Sequence, residues 1–185
     1  SRGLGVVYKI QIQHLGYDVI LTCDDKDVQK AEAIVLPGVG HFRDAMHSIE
    51  EKDIKDMLKN IHDKPIIGIC LGMQLLFQHS AEGDISGLEL VPGNIVPIQS
   101  SHPIPHLGWN ELKSTHPLLQ SDVYFVHSYQ AEMSEYVVAY ADYGTKIPGV
   151  IQYRNYIGIQ FHPEKSGTYG LEILNQALKG GFIND

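Results

Sequence analysis

Apolar and polar positions alternate along this chain in two textures, helical spacing and short unbroken runs first, shorter β-rich segments later. From Val6 to His14 apolar residues recur at Val6, Val7 and Ile10, less regularly at Ile12, and the run closes on Leu15-Gly16, predicting a helix with a glycine stop. Tyr17-Asp18-Val19-Ile20-Leu21 reads as a strand, and Ala33-Ile34-Val35-Leu36 is an unbroken apolar run of the kind found in parallel strands covered on both faces. Between His41 and Ile61, the positions Phe42, Ala45, Met46, Ile49, Ile54, Met57, Leu58 and Ile61 predict one or two amphipathic helices with a charged outer face. Pro65-Ile66-Ile67-Gly68-Ile69 predicts a third buried strand, and Leu71 to Gln78 continues from it as a helix, with no turn signal between.

Beyond Gly83 the segments shorten and fill with Gly, Pro and β-formers, including Ile95 to Ile98, Val123 to Val126 and Tyr136 to Tyr140. Gly149 to Tyr153 and Tyr156 to Phe161, joined by Arg154-Asn155, predict a hairpin, and Gly170 to Leu178 a closing helix. The order predicts an α/β fold with an open, mixed, largely parallel central sheet flanked by helices. No repeat or Ser- or Pro-rich linker interrupts it, so a single domain over residues 1–185 is expected.

Composition narrows the partners. With Lys+Arg 14 against Asp+Glu 22 the formal net charge is −8, and no basic stripe is present, which disfavours nucleic acid and anionic membrane surfaces. No apolar run approaches the roughly 20 residues of a membrane helix, and the start lacks the order of a signal peptide. A soluble, cytoplasmic protein is expected. Two cysteines, Cys23 and Cys70, make no disulfide framework and suit a reducing compartment. Cys23 is read as a small apolar residue just past a strand.

The sharpest chemical signal is Gly68-Ile69-Cys70-Leu71-Gly72, a cysteine between glycines where a buried strand meets a helix. This is the pattern of a nucleophile elbow with sulfur for oxygen. The helix dipole there favours thiolate, and backbone N–H groups can hold an oxyanion. The competing reading is a buried structural cysteine, which leaves the glycines unexplained. His162-Pro163-Glu164, directly after a strand, supplies a base and a carboxylate to orient it. Leu36-Pro37-Gly38-Val39-Gly40, at another strand end, can turn main-chain N–H groups toward a ligand, although alone it reads as an ordinary strand-to-helix turn. Ten histidines show no zinc-type spacing, so no metal site is expected. His127-Ser128-Tyr129 is a candidate pocket wall, and Trp109 lies in a segment read as a loop, Pro105 to Asn110, where a rigid aromatic can anchor an interface.

Together Pro37-Gly38-Val39-Gly40, Gly68-Ile69-Cys70-Leu71-Gly72-Met73-Gln74 and His162-Pro163-Glu164 resemble the class I, or triad-type, glutamine amidotransferases. Within them, Pro105-His106-Leu107-Gly108-Trp109-Asn110, Tyr124 to Tyr129 and Phe161 to Ser166 look most like the glutaminase subunits of imidazole glycerol phosphate synthases, of histidine biosynthesis. The resemblance implies a glutaminase without cofactor, in which Cys70 attacks the glutamine amide while His162, oriented by Glu164, carries the proton. It implies an oxyanion held by the N–H of Leu71 and one from the Val39-Gly40 turn. It also implies a glutamine pocket lined by Gly38, Gln74, Glu82, Ser128 and Tyr129. The implied partner is a (β/α)8-barrel cyclase subunit in a heterodimer, met by Trp109, Asn110 and Lys165, because released ammonia must be delivered through protein before water protonates it.

One departure is visible. Family members usually begin with an apolar strand ending Asp-Tyr-Gly-X-Gly-Asn, whereas this sequence begins Ser1-Arg2-Gly3-Leu4-Gly5-Val6; either further residues precede it in the protein, or the sheet is short of that strand with a neighbour's edge bare. Rival readings are a glutaminase serving anthranilate or aminodeoxychorismate synthase, whose members usually carry His where Met73 stands, a catalytically silent partner-binding protein, and a stand-alone cysteine hydrolase acting on peptides.

Overall fold

The computed structural model describes residues 2–38, 40–51 and 53–183. Helix α1 (Arg2–His14) ends as its pattern predicts, with Gly16 at φ 95° and its N–H returning to the Gln13 carbonyl. Tyr17 to Asp24 then has no regular structure, contrary to the strand expected there. Tyr17 and Val19 do pack on the core, but Ile20 and Leu21 stay exposed, and no described strand offers the segment a ladder. A groove of about 590 Å³ separates it from the edge of the sheet.

Helix α2 (Asp25–Lys30) is capped by Asp24, whose carboxylate accepts the Lys26 N–H at 2.8 Å. Strand β1 (Ile34–Gly38) leads through the amphipathic helices α3 (Phe42–Glu51) and α4 (Ile54–Lys59) to β2 (Ile66–Cys70), its parallel neighbour. Helix α5 (Leu71–Leu75) starts directly after the last residue of β2 and stops short of the predicted Gln78. The N–H groups of Leu88 and Leu90 take the carbonyls of Leu75 and Leu76, at 2.8 and 2.9 Å, that a further helical turn would need. The chain becomes β3 (Phe77–Ser80), which joins β4 (Ile85–Ser86), β5 (Val91–Pro97) and later β8 (Tyr129–Ala131) in a four-stranded sheet ordered β4-β3-β5-β8.

The main sheet takes β6 (His106–Lys113), β7 (Asp122–His127), β9 (Val137–Asp142), β10 (Lys146–Tyr153) and β11 (Tyr156–Ile159) in the order β1-β2-β11-β10-β9-β6-β7. Within it, parallel pairing is confined to β1, β2 and β11, and the remaining pairs are antiparallel. β10 and β11 form the predicted hairpin, with Arg154 at φ 54° in its turn. Trp109 belongs to β6 and not to a loop, because its segment pairs with β7 rung by rung, Trp109 opposite Tyr124.

The sheet divides two apolar clusters. Ile67, Ile69, Val150 and Ile157 face one, which takes Tyr8 and Ile12 of α1 and Ile173, Leu174 and Ala177 of the closing helix α6 (Gly167–Leu178). Ile66, Ile151 and Tyr156 face the other, with Phe42, Met46, Leu58, Leu71 and Met73. β2, buried at every residue, is therefore the apolar run that a doubly covered parallel strand requires.

Candidate active site

Register alone brings the site together. Gly38 at the end of β1 lies opposite Cys70 at the end of β2, and β11 runs parallel on the other side with Ile159 opposite Ile69. The chain leaving β11 therefore carries Gln160 and His162 past the same edge, the carboxyl end of parallel strands where ligand crevices form.

Cys70 has φ 55° and ψ −115°, a conformation L-residues rarely adopt, and its thiol projects from a strand-to-helix bend. The flanking glycines have a contact reason. A Cβ on Gly38 would meet the Gly72 nitrogen at 2.8 Å, one on Gly72 would overlap the Leu36 carbonyl, and one on Gly68 the Gly72 carbonyl. Only glycine lets α5 start this close to β1 and β2. Cys70 is 5% exposed and its thiol donates to the Phe161 carbonyl at 3.4 Å. Burial, and then the Glu164 carboxylate, push the thiol well above its ordinary range, with Tyr8 and Lys165 pulling partly back. These influences favour the neutral thiol and oppose the helix dipole, which favours thiolate.

His162 Nδ1 and Glu164 Oε1 are 2.6 Å apart, both side chains buried. The pair is braced from the backbone: the His162 N–H donates to the Tyr124 carbonyl at 2.9 Å, and Ser166 Oγ donates to the His162 carbonyl at 2.6 Å while accepting the Tyr124 N–H at 3.0 Å. Burial works to raise the Glu164 carboxyl, but the bond and charge of His162 outweigh it and hold the carboxyl below its usual range. Glu164 thereby accepts the Nδ1 proton and leaves His162 Nε2 for the reacting group. Its second oxygen and the Tyr8 hydroxyl are both buried; the hydroxyl lies near enough to Glu164 and Cys70 to lower both groups, although no bond of good geometry joins them.

A cavity of about 580 Å³ opens on these groups. Of the residues singled out in the sequence, Gly38, Gly40, Cys70, Leu71, Gln74, Glu82, His127, Ser128, Tyr129, His162 and Lys165 line it, and Glu164 stands behind His162. Val39 lies outside the described residues. Gln74 Nε2 donates to the Tyr129 carbonyl at 3.0 Å and to Gln160 Oε1 at 3.1 Å, which turns its carbonyl oxygen into the free hydrogen-bonding atom of that amide. Glu82 accepts the Phe42 N–H at 3.1 Å and has His41 Nε2 at 3.8 Å.

Trp109 and Asn110 lie off the cavity and point to opposite faces of β6. Trp109 is 59% exposed with its ring against Tyr124 at 5.8 Å, and the Lys165 ammonium lies over that same Tyr124 ring at 5.6 Å. Asn110 turns inward to the Asp142 carbonyl and to His106. His41, Val126 and Gln160 also line the cavity without having been singled out; a polar Gln160 closing an apolar strand one step before Phe161-His162 was the available signal. Among the described residues no group of His, Cys, Asp and Glu could hold a metal ion, and no helix is long and apolar enough to cross a membrane.

Known proteins carry the same pattern. The family model for class-I glutamine amidotransferases matches residues 6–179. The chain is 94% identical over 185 residues to the imidazole glycerol phosphate synthase subunit HisH of Staphylococcus epidermidis, spanning 99% of this chain and 96% of that one. It is 63% identical to the protein of the same name from Staphylococcus saprophyticus, spanning 99% and 93%. A crystal structure of a glutamine amidotransferase shares the fold at TM-score 0.76 and 16% identity, over 94% of this chain and 93% of that one. A GMP synthase component from Thermoplasma acidophilum does so at 0.68 and 19%, over 94% and 85%. With an elbow cysteine, a histidine–glutamate pair and a matching family model over most of its length, the chain belongs to the class-I glutamine amidotransferases.

Proposed function

We propose that this chain, as one amidotransferase domain, is the glutaminase subunit of a cytoplasmic imidazole glycerol phosphate synthase, hydrolysing glutamine and passing ammonia to a (β/α)8-barrel cyclase. The observation that carries the chemistry is that Cys70, held in a strained elbow, and His162, held by Glu164, face one cavity. High identity to relatives named as subunits of that synthase supports the pathway and the existence of a partner.

In this reading His162 Nε2 takes the Cys70 proton as sulfur adds to the side-chain carbonyl carbon of glutamine. The N–H of Leu71 and a main-chain N–H from the segment following Gly38 receive the oxyanion. His162 then returns the proton to the departing nitrogen, the C–N bond breaks, and ammonia leaves behind a thioester. Water, deprotonated by the same imidazole, adds to the thioester carbon and releases glutamate and the Cys70 thiol. Glu82 suits the substrate ammonium, with the Ser128-Tyr129 strip and Gly38 bounding the pocket.

Docking has a surface to use. Leu107 opposite Val126 and Trp109 opposite Tyr124 are neighbouring cross-strand pairs on the outer face of β6 and β7, and Val126 also lines the cavity. Leu107 and Trp109 are each 59% exposed, an apolar strip at the mouth from which ammonia would leave. The test is glutamate release from glutamine with and without the barrel and its nucleotide ligand, with Cys70→Ala as blank. Strong stimulation lost in the variant is expected; release indifferent to the barrel overturns the partner, and none in any condition overturns the glutaminase.

A further inference from the structure

The reaction above leaves unused two buried imidazoles at the pocket wall, His127, which itself lines the cavity, and His106 directly behind it. His106 and His127 face each other as the first rung of the β6–β7 ladder, 2% and 8% exposed. His106 Nδ1 lies 3.0 Å from His127 Nε2. On the far side His127 Nδ1 is 2.8 Å from the Tyr129 carbonyl, and His106 Nε2 is 3.2 Å from Asn110 Nδ2, which also donates to the Asp142 carbonyl at 3.0 Å.

These contacts fix every proton. A carbonyl only accepts, so His127 Nδ1 carries hydrogen, and in a neutral ring its Nε2 is then an acceptor. His106 Nδ1 must therefore carry hydrogen, and its Nε2 must accept, which the Asn110 amide satisfies. Donation runs one way, Asn110 to His106 to His127 to the Tyr129 carbonyl. Burial holds both rings neutral, pushing His106 down to about 4 and His127 to about 3. The titratable rings facing the pair are His162 from beyond β11 and Tyr143 after β9, whose ring lies 4.1 Å from that of His106, with His102 against Tyr143.

The end of the run reaches the pocket. The Tyr129 carbonyl that His127 engages is the one to which Gln74 donates, and Gln74, His127 and Tyr129 all line the cavity. We propose that His127, with its tautomer set by His106, is a positioning residue that holds the Tyr129 carbonyl and through it the Gln74 amide in the orientation that binds glutamine. The inference rests on the glutaminase reading for its ligand, while the relay itself rests on geometry alone.

Two variants separate positioning from packing. In His127→Asn the amide nitrogen falls where Nδ1 was and keeps the bond to Tyr129; in His127→Gln it falls where Nε2 was and loses that bond, although Gln fills the space better. Glutamine is titrated into the Cys70→Ala chain, in which it is not consumed, and followed by NMR beside imidazole ¹⁵N spectra. Expected are Nδ1–H tautomers for His106 and His127 in the parent, affinity within about 3-fold for His127→Asn, and a loss of roughly 10-fold for His127→Gln, the scale of one hydrogen bond. An Nε2–H tautomer at His127, or a Gln variant binding as tightly as the Asn variant, overturns the proposal. If the Cys70→Ala parent binds no glutamine, the glutaminase reading fails instead, and the tautomers still decide the relay.

Discussion

At the scale of single residues the site holds its charge on Glu164 and keeps it off sulfur. The thiol is buried beside a carboxylate and bonded to the Phe161 carbonyl, and each of these favours the proton staying on. Iodoacetamide should therefore modify Cys70 slowly at neutral pH in a Cys23→Ser background, with a rate still climbing at about pH 9, above the range where an ordinary thiol of pKa about 8.5 is half ionised. A plateau reached by pH 7, read from intact mass against time, would mean that sulfur rests as thiolate. Glu164→Gln tests the other half. The amide fits the space but cannot hold a positive imidazole, so kcat for glutamine should fall by about 10²-fold or more with KM within about 3-fold. A raised KM at unchanged kcat would instead assign Glu164 to binding.

At the scale of elements, contact distances decide what can be replaced. The start of α5 sits so close to β1 that Gly72→Ala drives a methyl into the Leu36 carbonyl, backbone against backbone. Such overpacking should cost about 1–3 kcal/mol, read as a lower urea midpoint at unchanged slope; an unchanged midpoint would mean the elbow can open. Trp109→Ala lies at the opposite extreme. Its ring is largely in solvent, so stability should move by no more than about 0.5 kcal/mol. If the outer face of β6 meets the barrel, barrel affinity should nevertheless drop by about 2 kcal/mol or more. Unchanged affinity and stimulation would place the partner elsewhere. The same contrast explains what could be read in the sequence. Buried strands such as Ile66–Cys70 and the amphipathic α3 announce themselves because local pattern and tertiary burial coincide. The Cys70 elbow and the His162–Glu164 pair were legible because their chemistry constrains immediate neighbours. The end of α5 was not, since distant N–H groups of Leu88 and Leu90 claim its carbonyls, and neither was the irregular course of Tyr17 to Asp24, whose alternation lacks a ladder. Asn110 could be located by sequence but not aimed, because only β6 pairing decides which way a residue points.

At the scale of the whole molecule these groups make stability depend on pH in a definite order. His106 and His127 are buried as neutral rings, with pKa values lowered to about 4 and about 3. In the unfolded chain both titrate near about 6.5, so below that pH the unfolded state binds protons the native state refuses, and acidification favours unfolding. The Glu164 carboxyl, lowered in the fold, contributes stability above its unfolded value of about 4.3 and loses it only as pH falls further, through the lowered value. The formal charge of −8 works in the opposite sense, since approach to the pI of about 5.6 relieves self-repulsion. That relief is spread over exposed groups and screened within about 8 Å at 0.15 M salt, whereas the histidine penalty is buried and unscreened. The melting temperature should therefore fall between pH 7 and pH 4.5, before carboxylates titrate in number. His127→Asn, which removes one of the two rings, should lie on a visibly flatter curve across that window and rejoin the parent's slope only below about pH 3, where the native His127 ring itself takes up a proton. Parallel curves from pH 7 to 4.5 would show that the pair takes up a proton in place, and that its one-way order does not survive mild acid.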